Sequence, residues 1–215
     1  MALFTLIKQE EYPVLDNLPI QVSVFKVDGI TISESTEVYN ELLKCADTYR
    51  RKYSDTAIGS IPGVQEVRRL FHALGLDPTK RRPSSEALLR RAIQNKELYS
   101  VNNLVDIGNL VSLNYLLPVC IYDGDKISGD ICIRLGRADE AYLALNHQQI
   151  NFEGRIVYAD AIGPFGSPMT DSVRTSISNS TTSAFCQILA PLSFDSDVLS
   201  EIRDDFSHLV ERFCK

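Results

Sequence analysis

The chain has 215 residues, 44% of them hydrophobic, with nine prolines and a net charge of −6, a balance that suits one large globular unit with a real apolar core. The acidic surplus excludes a protein whose whole surface coats nucleic acid or an anionic membrane, so any RNA contact is expected as a local patch weakened by salt. No stretch reaches the roughly 18 consecutive apolar residues of a membrane span, and the opening MALFTLIKQEEYPVL lacks the basic, apolar and small-residue regions of a secretory leader, so a cytoplasmic location is expected.

Residues 21–28 (QVSVFKVD) alternate closely enough for a strand ending at Gly29, with Val22, Val24 and Lys26 on one face and Gln21, Ser23 and Phe25 on the other. From Glu34 to Arg51 the spacing of Val38, Leu42, Cys45, Ala46 and Tyr49 predicts a helix, with Ser33 or Ser35 as its cap. A shorter amphipathic helix follows, carrying Val64, Val67, Leu70, Phe71 and Leu74, stopped by Gly75 and Pro78. Pro83 opens a third helix in which Ser84 or Ser85 can accept from exposed amides and Glu86 complements the positive end of the dipole; Leu88, Leu89, Ala92 and Ile93 face inward. Around it Lys80, Arg81, Arg82, Arg90, Arg91 and Lys96 have only Glu86 as local acid. Such a cluster reads either as a solvated helix face or as a phosphate-binding patch.

Val101, Leu104, Val105, Gly108, Val111 and Leu116 define a fourth helix that ends before Pro118. Asn102, Asn103, Asp106 and Asn109 lie near this stripe and need partners if buried; Asn102 and Asn103 are expected to stitch the helix to neighbouring backbone. Four short β-rich runs come next, VCIYD, DICIRLG, AYLAL and RIVYADAI, separated by turn formers including Asp123-Gly124 and Ser128-Gly129. They predict a mostly antiparallel sheet joined by hairpins. Residues 163–183 (GPFGSPMTDSVRTSISNSTTS) form a polar stretch too long for a mere connection, read either as a site-forming loop whose hydroxyls and Arg174 meet an anion or ribose, or as a mobile segment. A strand AFCQILA and an amphipathic helix from Asp195 to Phe213, with Val198, Ile202, Phe206, Leu209 and Phe213 on its stripe, complete an α+β arrangement: N-terminal helices and a C-terminal helix packed on the sheet.

The five cysteines (Cys45, Cys120, Cys132, Cys186, Cys214) form no C-x-x-C pair, which favours reduced, mostly buried thiols over a disulfide framework or zinc site. The three histidines are scattered, and there is neither a Gly-rich phosphate loop nor a G-x-S-x-G elbow. No metal and no cofactor are expected.

The run VNNLVDIGNLVSLNYLLPVCIYDGDKISGDICIRLGRADEAYLAL resembles the B3/B4 domain of the phenylalanyl-tRNA synthetase beta subunit. That family's pattern is roughly I-N-N-V-V-D-x-T-N, then G-Q-P-x-H-x-F-D-x-D-K-I, a strand I-x-V-R and a G-E turn. The resemblance rests on Asn102, Asn103, Val105, Asp106, Asn109, Pro118, Tyr122, Asp123, Asp125, Lys126, Ile127, Ile131, Ile133, Arg134 and Glu140. It extends more loosely to TTSAFCQILAP and, with RRPSSEALLRR, covers roughly residues 80–192 of a single 1–215 domain, leaving 1–79 as an N-terminal extension packed on it.

In the synthetase this domain hydrolyses tyrosine wrongly attached to phenylalanine tRNA, so the resemblance implies a pocket for an amino acid joined to the terminal adenosine. Asn109 occupies the position of the family's editing-site asparagine; Gly108 stands where the family has threonine, Cys120 where it has histidine and Leu117 where it has glutamine. The late glutamate that helps select the tyrosine hydroxyl falls near Gln187 or Ile188. Pocket candidates are therefore Asn109, Asp106, Cys120 and Gln187, with no catalytic residue assigned. Cys120 is open to two readings, a replacement nucleophile or an inert buried thiol. Asn109, Gly108, Thr170, Asp171, Ser172, Arg174 and Thr175 are candidates for substrate contact, and Arg81, Arg82, Arg90 and Arg91 for RNA phosphates.

Two functions follow as expectations. The first is a free-standing editing-like domain that binds the aminoacylated end of tRNA and hydrolyses mischarged aminoacyl-tRNA, with no aminoacylation module. The second is a non-catalytic module for a free amino acid or related metabolite that has lost hydrolysis. Neither involves DNA or a membrane.

Overall fold

The computed structural model describes residues 8–9, 14 and 17–215; most of the opening stretch read above for a leader lies outside them. Strand β1 (Lys8–Gln9) precedes β2 (Ile20–Asp28) and four helices, α1 (Thr36–Tyr53), α2 (Val64–Ala73), α3 (Ser84–Ile93) and α4 (Asn103–Tyr115). Then come β3 (Val119–Asp123), β4 (Cys132–Leu135), β5 (Ala141–Leu143), β6 (Gln149–Asn151), β7 (Ile156–Ala159), β8 (Pro164–Gly166), β9 (Ser183–Pro191) and α5 (Ser196–Phe213). The fold is α+β.

The helix signals act as read in most places. The Ser35 hydroxyl accepts from the Val38 amide to cap α1, and Gly75 takes φ +71° just after α2, a conformation that a Cβ would disfavour. At α3 the expected serine cap is absent: Pro83 occupies the cap position without a side-chain bond, and Ser85 is buried. Asn102 caps α4 by accepting from the Val105 amide. Asn103 does the stitching: its amide nitrogen donates to the Thr31 and Phe213 carbonyls at 2.8 and 2.9 Å, and its oxygen accepts from the Ser33 amide.

The central sheet runs β1-β2-β9-β3, all antiparallel, with β9 paired along its whole length to β2, from Ser183↔Asp28 to Pro191↔Ile20. A second sheet, β4-β7-β8, and a hairpin, β5-β6, make up the other half. The turn signal at Asp123-Gly124 does not join neighbouring strands, contrary to the hairpin expectation. Asp123 accepts from the Thr181 hydroxyl and Asp125 from the Thr182 amide and hydroxyl, which anchors the turn to the start of β9, and the chain leaves for the second sheet. Residues 163–183 are also not wholly a loop, because β8 occupies their first part and pairs with β7.

Directly paired residues of antiparallel strands share a face. One face of the central sheet therefore carries Phe25, Cys186 and Ile121, and the other Val24, Gln187 and Cys120. Helices cover the first face: Phe206 of α5 meets Phe25 edge-on with centroids 5.1 Å apart, and Gly108 of α4 lies so close to Ile121 that a Cβ there would come within 2.5 Å of its Cδ1. The second sheet covers the opposite face, where Tyr122 packs edge-on against Tyr158 and Phe165. The inner stripe of α5 is Leu199, Ile202, Phe206 and Val210, rotated from the expected one, and Val198 is exposed. No described helix is long and apolar enough to cross a membrane.

Candidate functional site

Most polar residues of the N-N-x-x-D and D-x-D-K-I runs are engaged in holding the fold. Asp106 accepts from the Ser100 hydroxyl and the Val101 amide, closing the approach to α4; burial raises its carboxyl above the usual range and those two bonds oppose the rise. Arg134 and Glu140 form a bidentate pair with both contacts at 2.7 Å, and Arg134 holds the Glu140 carboxyl below its usual range. The polar atoms left over mark a different place.

Gln187, in the middle of β9, is fully buried, and neither its amide nitrogen nor its oxygen has a hydrogen-bond partner. Its direct neighbour on β3 is Cys120. The Cys120 sulfur lies 4.0 Å from the Tyr158 hydroxyl, while the Tyr122 hydroxyl, two residues along the same face, is buried without a partner. Buried polar groups are nearly always paired, so three orphan atoms side by side point to a place where a ligand or water completes the bonding.

The loop after β8 supplies the remaining wall. Its backbone is fixed by the Gly166↔Asp171 bridge, by the Leu145 amide donating to the Asp171 carbonyl, and by the Ser172 amide donating to the Phe165 carbonyl. Ser172 and Thr175 bond each other through their hydroxyls, and Thr175 also donates to the Phe165 carbonyl. Arg174 is latched to buried Asp160 by two contacts of 2.9 and 3.0 Å and to the Lys126 carbonyl. Burial works against the Asp160 charge, but Arg174 and the Ser128 amide outweigh it and hold its carboxyl below the usual range. Thr170 accepts from the Tyr142 hydroxyl through its carbonyl.

Asp171 differs from these neighbours. Its carboxyl faces the Tyr122 hydroxyl, the one side chain that favours its charged form. Gly166, its bridge partner, makes the space: a Cβ at 166 would sit 2.3 Å from the Tyr122 hydroxyl. Although the residue keeps some surface exposure, its carboxyl is densely enclosed, and burial raises it to about 6, with the Tyr122 hydroxyl pulling the other way. Burial, aided by the charge of Asp171, raises the Cys120 thiol to about 12. The hydroxyls of Tyr122, Tyr142 and Tyr158 are likewise raised by burial. At neutral pH the cluster thus holds one thiol, three phenols, one amide and one carboxylate.

The residues singled out from sequence divide between two places. Cys120, Gln187 and Asp171 come together on the second-sheet face, with Thr170, Ser172, Arg174 and Thr175 as the framework that aims Asp171. Gly108 belongs to α4 on the helix side, and no hydrogen bond among the described residues joins Asn109 to Cys120, Gln187 or the loop. Tyr122, Tyr142 and Tyr158 are not among the site residues expected from the sequence. Their only sequence signal is a hydroxyl carried at a position that strand alternation sends inward.

The arginines form a separate group. Arg68 holds buried Glu86 in a bidentate pair at 2.6 and 2.7 Å, with Arg82 and Arg90 at 3.5 and 3.9 Å. Arg81 is exposed, and Arg91 donates to the Glu97 carbonyl while its guanidinium stacks over Tyr99. Three guanidinium groups around one carboxylate leave a local positive surplus. Among the described residues no group of His, Cys, Asp and Glu is arranged to hold a metal ion.

The family model described as "B3/4 domain" matches residues 66–215. The chain belongs to the B3/4 domain family. The phenylalanine–tRNA ligase beta subunit of Psychrobacter arcticus is 26% identical over 183 residues, 80% of this chain and 23% of that protein. Its counterpart in Bartonella quintana is 39% identical over 67 residues, 31% of this chain and 8% of the other. The chain thus spans less than a quarter of the length of these relatives. Among solved structures, an N-terminal fragment of the phenylalanyl-tRNA synthetase beta subunit from Pyrococcus horikoshii aligns with a TM-score of 0.36 and 16% identity, over 40% of this chain and 33% of the fragment. The matched residues of this B3/4 domain include every member of the buried polar cluster.

Proposed function

We propose that this B3/4 domain receives the aminoacylated end of a tRNA on the Cys120–Gln187 face and hydrolyses its ester bond. The observation that carries the reading is Gln187: a fully buried primary amide with both polar atoms unpaired, opposite Cys120 in a B3/4 domain. A bound acyl group that offers both a donor and an acceptor would satisfy it, and leaving such an amide unpaired would reject analogues lacking those groups. Ester hydrolysis needs a positioned water and donors toward the developing oxyanion; the Gln187 amide nitrogen is an unpaired donor on this face, and the Tyr122 hydroxyl stands beside the carboxylate of Asp171. The surplus charge of Arg68, Arg82 and Arg90, with exposed Arg81, supports phosphate contact whose strength falls with salt.

Deacylation of a panel of mischarged tRNAs by the purified protein tests this function. Acceleration over buffer for at least one member is expected; no acceleration for any, together with no tRNA binding at low salt, contradicts it. A second reading has its own support in Cys120, a neutral thiol where the family resemblance places a histidine. On that reading the cluster holds a free amino acid without hydrolysis. A thermal-shift screen then finds an amino acid that, at about a hundred times its dissociation constant, stabilises the fold by roughly 2.7 kcal/mol.

A further inference from the structure

Three polar side chains after Asp171 in the loop are tied to the protein: Ser172 to Thr175, Thr175 to the Phe165 carbonyl, Arg174 to Asp160. Main-chain bonds fix Asp171 on both sides, through Gly166 and Leu145. A loop built so rigidly around one residue, with a glycine opposite it that clears room for the Tyr122 hydroxyl, holds Asp171 beside that hydroxyl, on the face of the sheet that carries Cys120 and Gln187.

The other members of the cluster cannot take a proton at neutral pH. Cys120 on β3 is a neutral thiol with no histidine hydrogen-bonded to it, so it is not a prepared nucleophile. Gln187 does not titrate, and Tyr122 of β3, Tyr142 of β5 and Tyr158 of β7 are held as neutral phenols. These are the titratable groups that face Asp171 from the packed elements.

We propose that Asp171 is the catalytic residue of this site, the general base that activates water against the aminoacyl ester; this rests on the deacylase reading above. The water oxygen forms a bond to the ester carbonyl carbon as its proton passes to the Asp171 carboxylate. The tetrahedral intermediate then collapses, the bond between the carbonyl carbon and the ribose oxygen breaks, and the proton moves from Asp171 to that oxygen. Water is the only co-reactant, the products are a free amino acid and a free ribose hydroxyl, and Asp171 returns to its starting form. An acid held near the working pH suits this role, because it is mostly ionised yet still a competent acceptor.

The test compares wild type with Asp171→Asn in single-turnover deacylation of the tRNA that wild type hydrolyses fastest, from about pH 5 to about pH 8, with tRNA binding measured separately. The expected loss is on the order of 10²- to 10⁴-fold in rate, with binding within about threefold and with the rise in rate through about pH 6 abolished. A D171N rate within about threefold of wild type, or an unchanged pH profile, overturns the assignment while leaving the deacylase function standing. Wild type that binds tRNA but hydrolyses no member of the panel overturns both the assignment and the hydrolysis; wild type that does neither overturns the proposed function itself. If D171N does not fold, Asp171→Glu replaces it: displacing the carboxylate by one methylene is expected to lower the rate by at least about tenfold, and an undiminished rate overturns the assignment.

Discussion

Gly166 and Gln187 set the two ends of what a single residue does to this site. A methyl group at 166 would meet the ring and hydroxyl of Tyr122 at 2.3–2.5 Å, and buried Tyr122 has Tyr158 and Phe165 on its other sides. Gly166→Ala is therefore expected to destabilise the protein by about 1–3 kcal/mol, the range for overpacking a filled core, as measured by the urea midpoint, and to reduce deacylation by displacing the phenol. Gln187→Leu works in the opposite sense on stability. It replaces two unpaired buried polar atoms with apolar ones of similar shape, so the unliganded protein should gain about 1 kcal/mol while ligand binding weakens. A variant less stable than wild type would mean that the Gln187 amide is already satisfied in the free protein. Stability relinquished at a binding residue is the expected signature of a functional position.

At the scale of elements, α4 is fastened by Asn103, whose three long-range bonds join the helix to the β2–α1 connection and to the end of α5. Asn103→Ala deletes all three bonds, which are only partly buried, and should cost about 1–3 kcal/mol, read from chemical denaturation. The network of α2 and α3 centres on Glu86. Because Arg68 retains partial exposure, Glu86→Gln should cost less than a fully buried pair would, about 1–3 kcal/mol. The helices were legible because their signals are local: Ser35 and Asn102 cap, Gly75 stops, and apolar spacing of three and four does the rest. Sequence and structure part where distance decides. Ile202 and Phe206 belong to two adjacent stripes of α5, and only the sheet beneath selects the one with Leu199 and Val210. The Asp123-Gly124 turn looks like a hairpin until Thr181 and Thr182, far along the chain, claim its carboxylates. For the same reason Cys120 and Gln187 each stand out in the sequence, but their direct pairing and the tyrosines that enclose them depend on strand register and on a second sheet.

For the molecule as a whole, the site couples function to pH. The Asp171 carboxyl is raised to about 6 in the folded protein from an ordinary value near 3.8, so between these pH values the native state binds a proton that the unfolded chain has released. Its contribution to stability is present below about pH 4 and lost as pH rises through about 6, an effect of at most about 3 kcal/mol. Carboxyls held low, such as Glu140 and Asp160, act in the reverse direction, so the prediction applies to the difference between wild type and D171N, which should shift in favour of the variant as pH rises through this window in urea titrations. The α4 side of the molecule offers a rival location: a cleft of about 470 Å³ between α1, α4 and α5, lined by residues including Cys45, Asn114, Asp205 and His208. The most direct discrimination comes from side-chain amide NMR during titration with a non-hydrolysable 3′-aminoacylamido adenosine matched to the preferred tRNA. The Gln187 amide resonances are expected to shift and Gln187→Leu to weaken binding; shifts confined to the Asn114 amide and its surroundings, with Gln187 unmoved, would contradict a ligand site at Gln187.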